Sequence, residues 1–204
     1  MIGRKSPRSW SIPRALLCYY SALFRKSLDK EYRKHGSSRF FFREFDPHVF
    51  EWIVEWLYTG WCHCLEGPKV NPALAIRLWS YAFAFDFPAI QNLVVDFLIA
   101  RHHDPKSSRP LTPDEVACAF NLTLEDSPLR KYYVKVMWLS RNERKDLVDM
   151  SVLAYFWRED KELAAELVEL LRELSEEGGG KVVPPWKEVE KYYVLTEDGG
   201  RAVT

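Results

Sequence analysis

The chain of 204 residues is 47% hydrophobic and 15% aromatic, and its 29 basic residues balance 29 acidic ones. This composition excludes a disordered chain and is typical of a globular protein with a large core. We expect no membrane partner, because no stretch approaches the ~20 apolar residues of a membrane span. We also expect no secretory signal, because the basic N-terminus is not followed by an apolar segment. Four cysteines are too sparse for a secreted disulfide framework, which favours an intracellular protein of the nucleus or cytoplasm.

Charge is distributed unevenly along the chain. Residues 1–34 hold nine basic and two acidic side chains, whereas residues 141–204 hold ten basic and fifteen acidic ones. Such a basic arm can bind nucleic acid. The alternative is a solvated face at each end of the chain. We favour this alternative because the basic residues lack the interleaved aromatic side chains of a nucleic-acid surface.

Helix starts are marked by four prolines, each preceded by a residue whose side chain can cap a helix. These pairs are Asp46-Pro47, Asn71-Pro72, Thr112-Pro113 and Ser127-Pro128. They predict helices at 47–58, 72–85, 113–121 and 128–139, and apolar residues at helical spacing predict three more at 88–102, 150–157 and 159–176. The three glycines at 178–180 end the last helix, and residues 178–204 are predicted to form a flexible tail.

Two short segments have the composition of strands. Residues 39–45 are an aromatic run, and residues 61–65 follow the Thr59-Gly60 stop of the preceding helix. Short strands and helices come first along the chain, and helices alone follow. This order predicts an α+β domain followed by an all-helical extension.

Three segments of the first half resemble one known family. Residues 14–24 contain Leu-Leu-Cys-x-x-Ser-x-x-Phe, residues 45–60 contain Asp-Pro-x-x-Phe and then Trp-Leu-Tyr-Thr-Gly, and residues 78–92 form a helix pair. In order and spacing they are similar to fungal BTB/POZ domains. The resemblance implies a small sheet flanked by helical hairpins, without a catalytic cleft. It divides the chain into a BTB/POZ-like domain at 1–103 and a helical extension at 110–177.

The chain departs from the family pattern in two places. Of the family's first strand only residues 1–3 remain, so an unpaired strand edge is expected near Trp10, where a partner could bind. Family members that recruit cullin ubiquitin-ligase scaffolds carry a hydrophobic-x-Glu element. That element falls at Tyr32-Arg33-Lys34, where Lys34 reverses the charge of the glutamate. We therefore expect cullin recruitment to be weak or absent.

The sequence offers little for catalysis or metal binding. Cys62-His63-Cys64 contains zinc-ligand residue types, but a structural zinc site needs a second matching pair, for which only the distant His102 and His103 are at hand. The alternative, which we favour, is two small buried side chains on one face of a strand. Phosphate-binding and nucleophile-elbow motifs are absent. We predict a protein that is not an enzyme and has no cofactor.

The sequence thus predicts a protein–protein interaction module, a homo- or hetero-oligomerising adaptor. The alternative is a transcription-linked protein whose basic N-terminal arm touches nucleic acid. A third, less favoured hypothesis is a cullin substrate adaptor. We predict that the partner surface includes the strand edge, the Tyr32 element and the corner before the helix at 47. These candidates are Trp10, Tyr32, Lys34, Phe45, Asp46 and His48.

Overall fold

The computed structural model describes residues 2–3, 7–35, 39–67, 70–103, 110–142, 151–177 and 182–195. The described residues form nine α-helices, connected by turns and short 3-10 helices. The helices are α1 (Arg14–Tyr20), α2 (Ala22–His35), α3 (Pro47–Thr59), α4 (Pro72–Ala84), α5 (Pro88–His103), α6 (Pro113–Asn121), α7 (Pro128–Asn142), α8 (Ser151–Glu159) and α9 (Lys161–Glu177). None of them is both long and apolar enough to cross a membrane.

The helix starts predicted from proline are confirmed. Helices α3, α4, α6 and α7 begin at the four marked prolines. Asn71 and Thr112 each accept a hydrogen bond from a backbone N–H of the first turn, at 3.0 and 3.2 Å. These bonds satisfy donors that have no partner within the helix. The local chemistry of the first turn therefore sets these boundaries.

The chain divides into two compact units, and the boundary between them falls within α5. Unit 1 comprises residues 1–94 with 195–204, and unit 2 comprises residues 95–194. Each unit has its own buried core. The sequence placed its boundary between 103 and 110, after the same helix.

Phe85 lies at the centre of the core of unit 1. Its ring is 1% exposed, and four other aromatic rings have centroids within 6 Å of its own. Those rings belong to Phe24, Phe42, Phe45 and Phe50. Such edge-to-face and offset pairs add to the free energy gained by burying the rings.

The predicted sheet is wrong: the described residues contain no strand, so the α+β, BTB/POZ-like fold class is replaced by a helical one. Residues 39–45 make one isolated parallel bridge, from Phe42 to Ile2, and Ile2 makes another with Arg8. The chain turns directly after Phe42, and the rings of Phe42 and Phe45 pack against Phe85 and Tyr81. Three phenylalanines of the run are thus half-buried without forming a ladder, and Phe41 is 62% exposed. Residues 61–65 also lack a strand, because His63–Leu65 form a 3-10 turn.

Unit 2 is built around α7, which contacts α6, α9 and the segment after residue 182. Leu129, Tyr133, Val136 and Leu139 are fully buried along one stripe of this helix. Residues 182–194, assigned above to a flexible tail, contain two 3-10 turns, Pro185–Lys187 and Val189–Tyr192, which pack on α7. Lys135 makes a 2.8 Å ion pair with Glu188 in this segment.

Candidate functional site

The corner before α3 holds three of the residues predicted to bind a partner. Asp46 caps the helix: its carboxylate accepts a 2.8 Å hydrogen bond from the backbone N–H of His48. Its own backbone N–H donates to the Tyr81 hydroxyl at 2.6 Å. Phe45 is half-buried against Tyr81, with ring centroids 4.5 Å apart, whereas His48 is exposed. Asp46 and Phe45 thus hold the corner together, and His48 lies on the surface.

Replacing Asp46 by alanine is expected to lower the free energy of unfolding by about 1 kcal/mol, because the first turn of α3 loses its side-chain cap. Asp46→Asn should cost less than half of that, since asparagine caps equally well. Urea unfolding followed by circular dichroism measures both variants. Equal losses in the two would contradict the capping role.

The other predicted partner residues lie apart from this corner along the chain. Trp10 is half-buried, with its ring 5.0 Å from that of Phe50. Tyr32 and Lys34 lie within α2, but their side chains are outside the described part of the structure. Cullin recruitment therefore stays a prediction. In the basic N-terminal region, Arg8 makes a 2.9 Å ion pair with Glu51, and binding of nucleic acid also stays a prediction.

The end of α3 carries two exposed aromatic side chains that the sequence analysis did not select. Tyr58 is 56% exposed and Trp61 is 51% exposed. Gly60 ends the helix in the left-handed conformation, with φ of 70°, which a residue with a side chain rarely adopts. The turn at Gly60 takes the chain out of the helix, and Trp61 follows it. We call residues 55–66 the α3 corner.

Hydrogen bonds hold Trp61 at both its backbone and its ring. Its backbone N–H donates to Thr59 Oγ1 at 3.0 Å, and Thr59 Oγ1 in turn donates to the Glu55 carbonyl at 2.8 Å. The indole Nε1–H donates to Glu66 Oε1 at 2.6 Å. An exposed ring held in this way loses little conformational entropy on binding, which favours association.

The Cys62-His63-Cys64 segment follows Trp61 in the same corner. The two sulfur atoms lie 2.8 Å apart, with Cys62 buried and Cys64 half-buried. The imidazole of His63 points elsewhere, with Nδ1 2.6 Å from Glu55 Oε1. Within the described residues no three histidine, cysteine or acidic side chains are grouped as metal ligands. The arrangement separates the histidine from the thiols.

A second cluster of titratable side chains lies in the core of unit 2. It comprises His102 at the end of α5, Glu115 in the first turn of α6, and Tyr132 and Tyr133 on α7. The His102 and Glu115 side chains are 0% exposed, and both tyrosines are buried. Tyr133 donates a 2.8 Å hydrogen bond to Glu115 Oε1. Burial, followed by the charge of Glu115, raises the pKa of both tyrosines well above the usual value, so both stay protonated.

The hydrogen bonds of this cluster determine where its protons lie. Tyr132 donates its single hydroxyl proton to the Leu98 carbonyl at 2.9 Å, so His102 Nδ1, 2.6 Å away, is the donor in the second bond. His102 Nε2 lies 3.4 Å from Glu115 Oε1 and makes no hydrogen bond with the described residues. The ends of the α5 and α6 dipoles favour a cation and an anion at these positions.

All four side chains of this cluster are buried. Its four members come from three helices and fix how those helices pack. The cluster is only partly satisfied, because His102 Nε2 and Glu115 Oε2 are buried without a hydrogen-bond partner among the described residues. Sequence reasoning could not find the contacts of Glu115 with His102 and Tyr133, which are distant in sequence.

Comparison with known proteins does not assign the chain to a family. No family model matches the sequence, and no curated protein is significantly similar to it. The resemblance of residues 14–24, 45–60 and 78–92 to BTB/POZ domains therefore rests on the motifs alone. These segments fold as α1 and α2, α3, and parts of α4 and α5.

Proposed function

We propose that the chain is a protein–protein interaction module that self-associates through the α3 corner. The observation that carries this proposal is the pair of exposed aromatic side chains, Tyr58 and Trp61, of which Trp61 is held in place by Thr59 and Glu66. Tyrosine and tryptophan are enriched at the centres of protein interfaces, where a rigid ring fills a pocket of the partner. A surface that contacts only solvent does not require a tryptophan whose backbone N–H and indole N–H are both held by hydrogen bonds.

The charge of the chain favours a second copy as the occupant. Because 29 basic residues balance 29 acidic ones, two copies meet without net electrostatic repulsion at neutral pH. Within the α3 corner, the carboxylates of Glu55 and Glu66 are each engaged, by His63 and by Trp61.

Light scattering over a range of concentrations tests self-association, in a buffer with a thiol reductant so that cysteine oxidation does not contribute. We expect the native chain to form a dimer and Trp61→Ser to weaken the dimer at least tenfold, as expected for a buried aromatic anchor. Trp157→Ser is the matched control, since Trp157 in α8 is 53% exposed and lies in unit 2. It should leave the dimer unchanged.

Two results would overturn the proposal. A monomeric mass for the native chain at every concentration would rule out self-association. An equal loss in Trp61→Ser and Trp157→Ser would show that association is unspecific and does not use the α3 corner.

A further inference from the structure

The two cysteines of the α3 corner have a geometry that goes beyond what an interaction surface needs. Their sulfur atoms are 2.8 Å apart and both thiols are free. A disulfide bond is ~2.05 Å long, so the sulfurs need to approach by only about 0.8 Å to form one. The Cys62 and Cys64 side chains therefore stand close to bonding distance in the reduced protein.

The 3-10 turn brings the two sulfurs together. Cys62 has an extended backbone, and its carbonyl accepts a 3.0 Å hydrogen bond from the backbone N–H of Leu65. A second bond of the same length joins the backbone N–H of Glu66 to the His63 carbonyl. Had the segment formed the strand expected from sequence, the Cα atoms of residues 62 and 64 would lie about 6.6 Å apart on one face. The turn therefore brings the two sulfurs within reach of each other.

We propose that Cys62 and Cys64 are a reversible redox pair, oxidised to a disulfide within the turn by exchange with a low-molecular-weight disulfide of the glutathione type. The short loop gives the bond a strained geometry, and strained disulfides are readily reduced again. The pair is thus suited to reversible modification rather than to permanent cross-linking.

The thiol–disulfide exchange proceeds in two steps. The thiolate of Cys64, the more exposed of the two, attacks one sulfur of the small disulfide and releases one small thiol. The thiolate of Cys62 then attacks the Cys64 sulfur of this mixed disulfide and releases the second. Two cysteine sulfurs are oxidised, the small disulfide is reduced, and the two protons pass to the released thiols.

The surroundings of Cys64 make the first step slow at neutral pH. The hydrogen bond with Cys62, followed by burial and the nearby charges, raises the pKa of the Cys64 thiol well above its usual value. Because the thiolate is the nucleophile, the rate should increase as the pH is raised.

Mass spectrometry of the native protein equilibrated in glutathione buffers tests the redox pair directly. After alkylation under denaturing conditions and digestion with trypsin, residues 44–69 form one peptide, which contains only these two cysteines. In an oxidising buffer we expect this peptide to be unalkylated and two hydrogen atoms lighter, and to become doubly alkylated after reduction. Cys18 and Cys118 lie on other peptides and should remain alkylated.

The Cys64→Ser variant separates this chemistry from unspecific oxidation. It should form no internal disulfide, and Cys62, which is 3% exposed, should remain alkylated after unfolding. A native peptide that stays doubly alkylated in oxidising buffer, or that carries glutathione without losing two hydrogen atoms, would overturn the proposal. Both results are obtained at a dilute protein concentration at which light scattering shows a monomer, so that a second copy does not cover the α3 corner.

Discussion

Replacing Phe85 by alanine is expected to lower the free energy of unfolding by about 3–5 kcal/mol. The ring is 1% exposed and packs against Phe24, Phe42, Phe45 and Phe50. Its removal leaves a cavity that these rings, held on different segments, cannot all move to fill. Urea unfolding followed by circular dichroism should show a midpoint lowered by about 1 M or more.

Phe83 provides the matched control, two residues away at the end of α4. Its ring is 52% exposed and stacks on Trp79 with a centroid distance of 5.9 Å. Phe83→Ala should therefore cost at most about 1 kcal/mol. Similar losses in the two variants would contradict the placement of Phe85 at the centre of the core.

Replacing Glu115 by alanine is expected to lower the free energy of unfolding by roughly 3 kcal/mol or more. The carboxylate is fully buried, accepts a hydrogen bond from Tyr133 and lies 3.4 Å from His102. Its loss leaves the Tyr133 hydroxyl buried without its acceptor and removes the carboxylate beside the buried imidazole. Urea unfolding again gives the measurement.

Two control variants show how much of the stability lost in Glu115→Ala comes from the buried cluster. Tyr133→Phe removes only one hydrogen bond and should cost about 1 kcal/mol. Glu173→Ala removes an exposed carboxylate of α9 and should change stability by less than about 0.5 kcal/mol. A loss below about 1 kcal/mol for Glu115→Ala would show that the cluster contributes little to the fold.

Helix boundaries could be predicted from the sequence because their cause is local. A capping side chain before a proline satisfies the first-turn donors wherever the helix packs, and α3, α4, α6 and α7 begin where such pairs occur. The prediction of strands failed because strand formation depends on a partner segment that is distant in sequence. Residues 39–45 have strand-like composition, but a ladder needs a partner of matching length, and Phe42 finds only a single bridge.

The candidate site was predicted only in part. Cys62-His63-Cys64 was selected from residue types, but its turn geometry, which sets the 2.8 Å contact between the sulfurs, was not foreseen. The exposure of Trp61 could not be predicted from the sequence, because the sequence pattern does not distinguish an exposed tryptophan from a buried one. Its exposure and its bond to Glu66 follow from the left-handed turn at Gly60.

Hydrogen exchange measured by mass spectrometry on dilute and concentrated native protein tests the central claim, that the α3 corner is a contact surface between copies. We predict slower exchange of residues 58–66 at high concentration, and unchanged exchange of residues 151–159 around the equally exposed Trp157. Exchange of residues 58–66 that is the same at both concentrations, while light scattering shows a dimer, would place the interface elsewhere and contradict the claim.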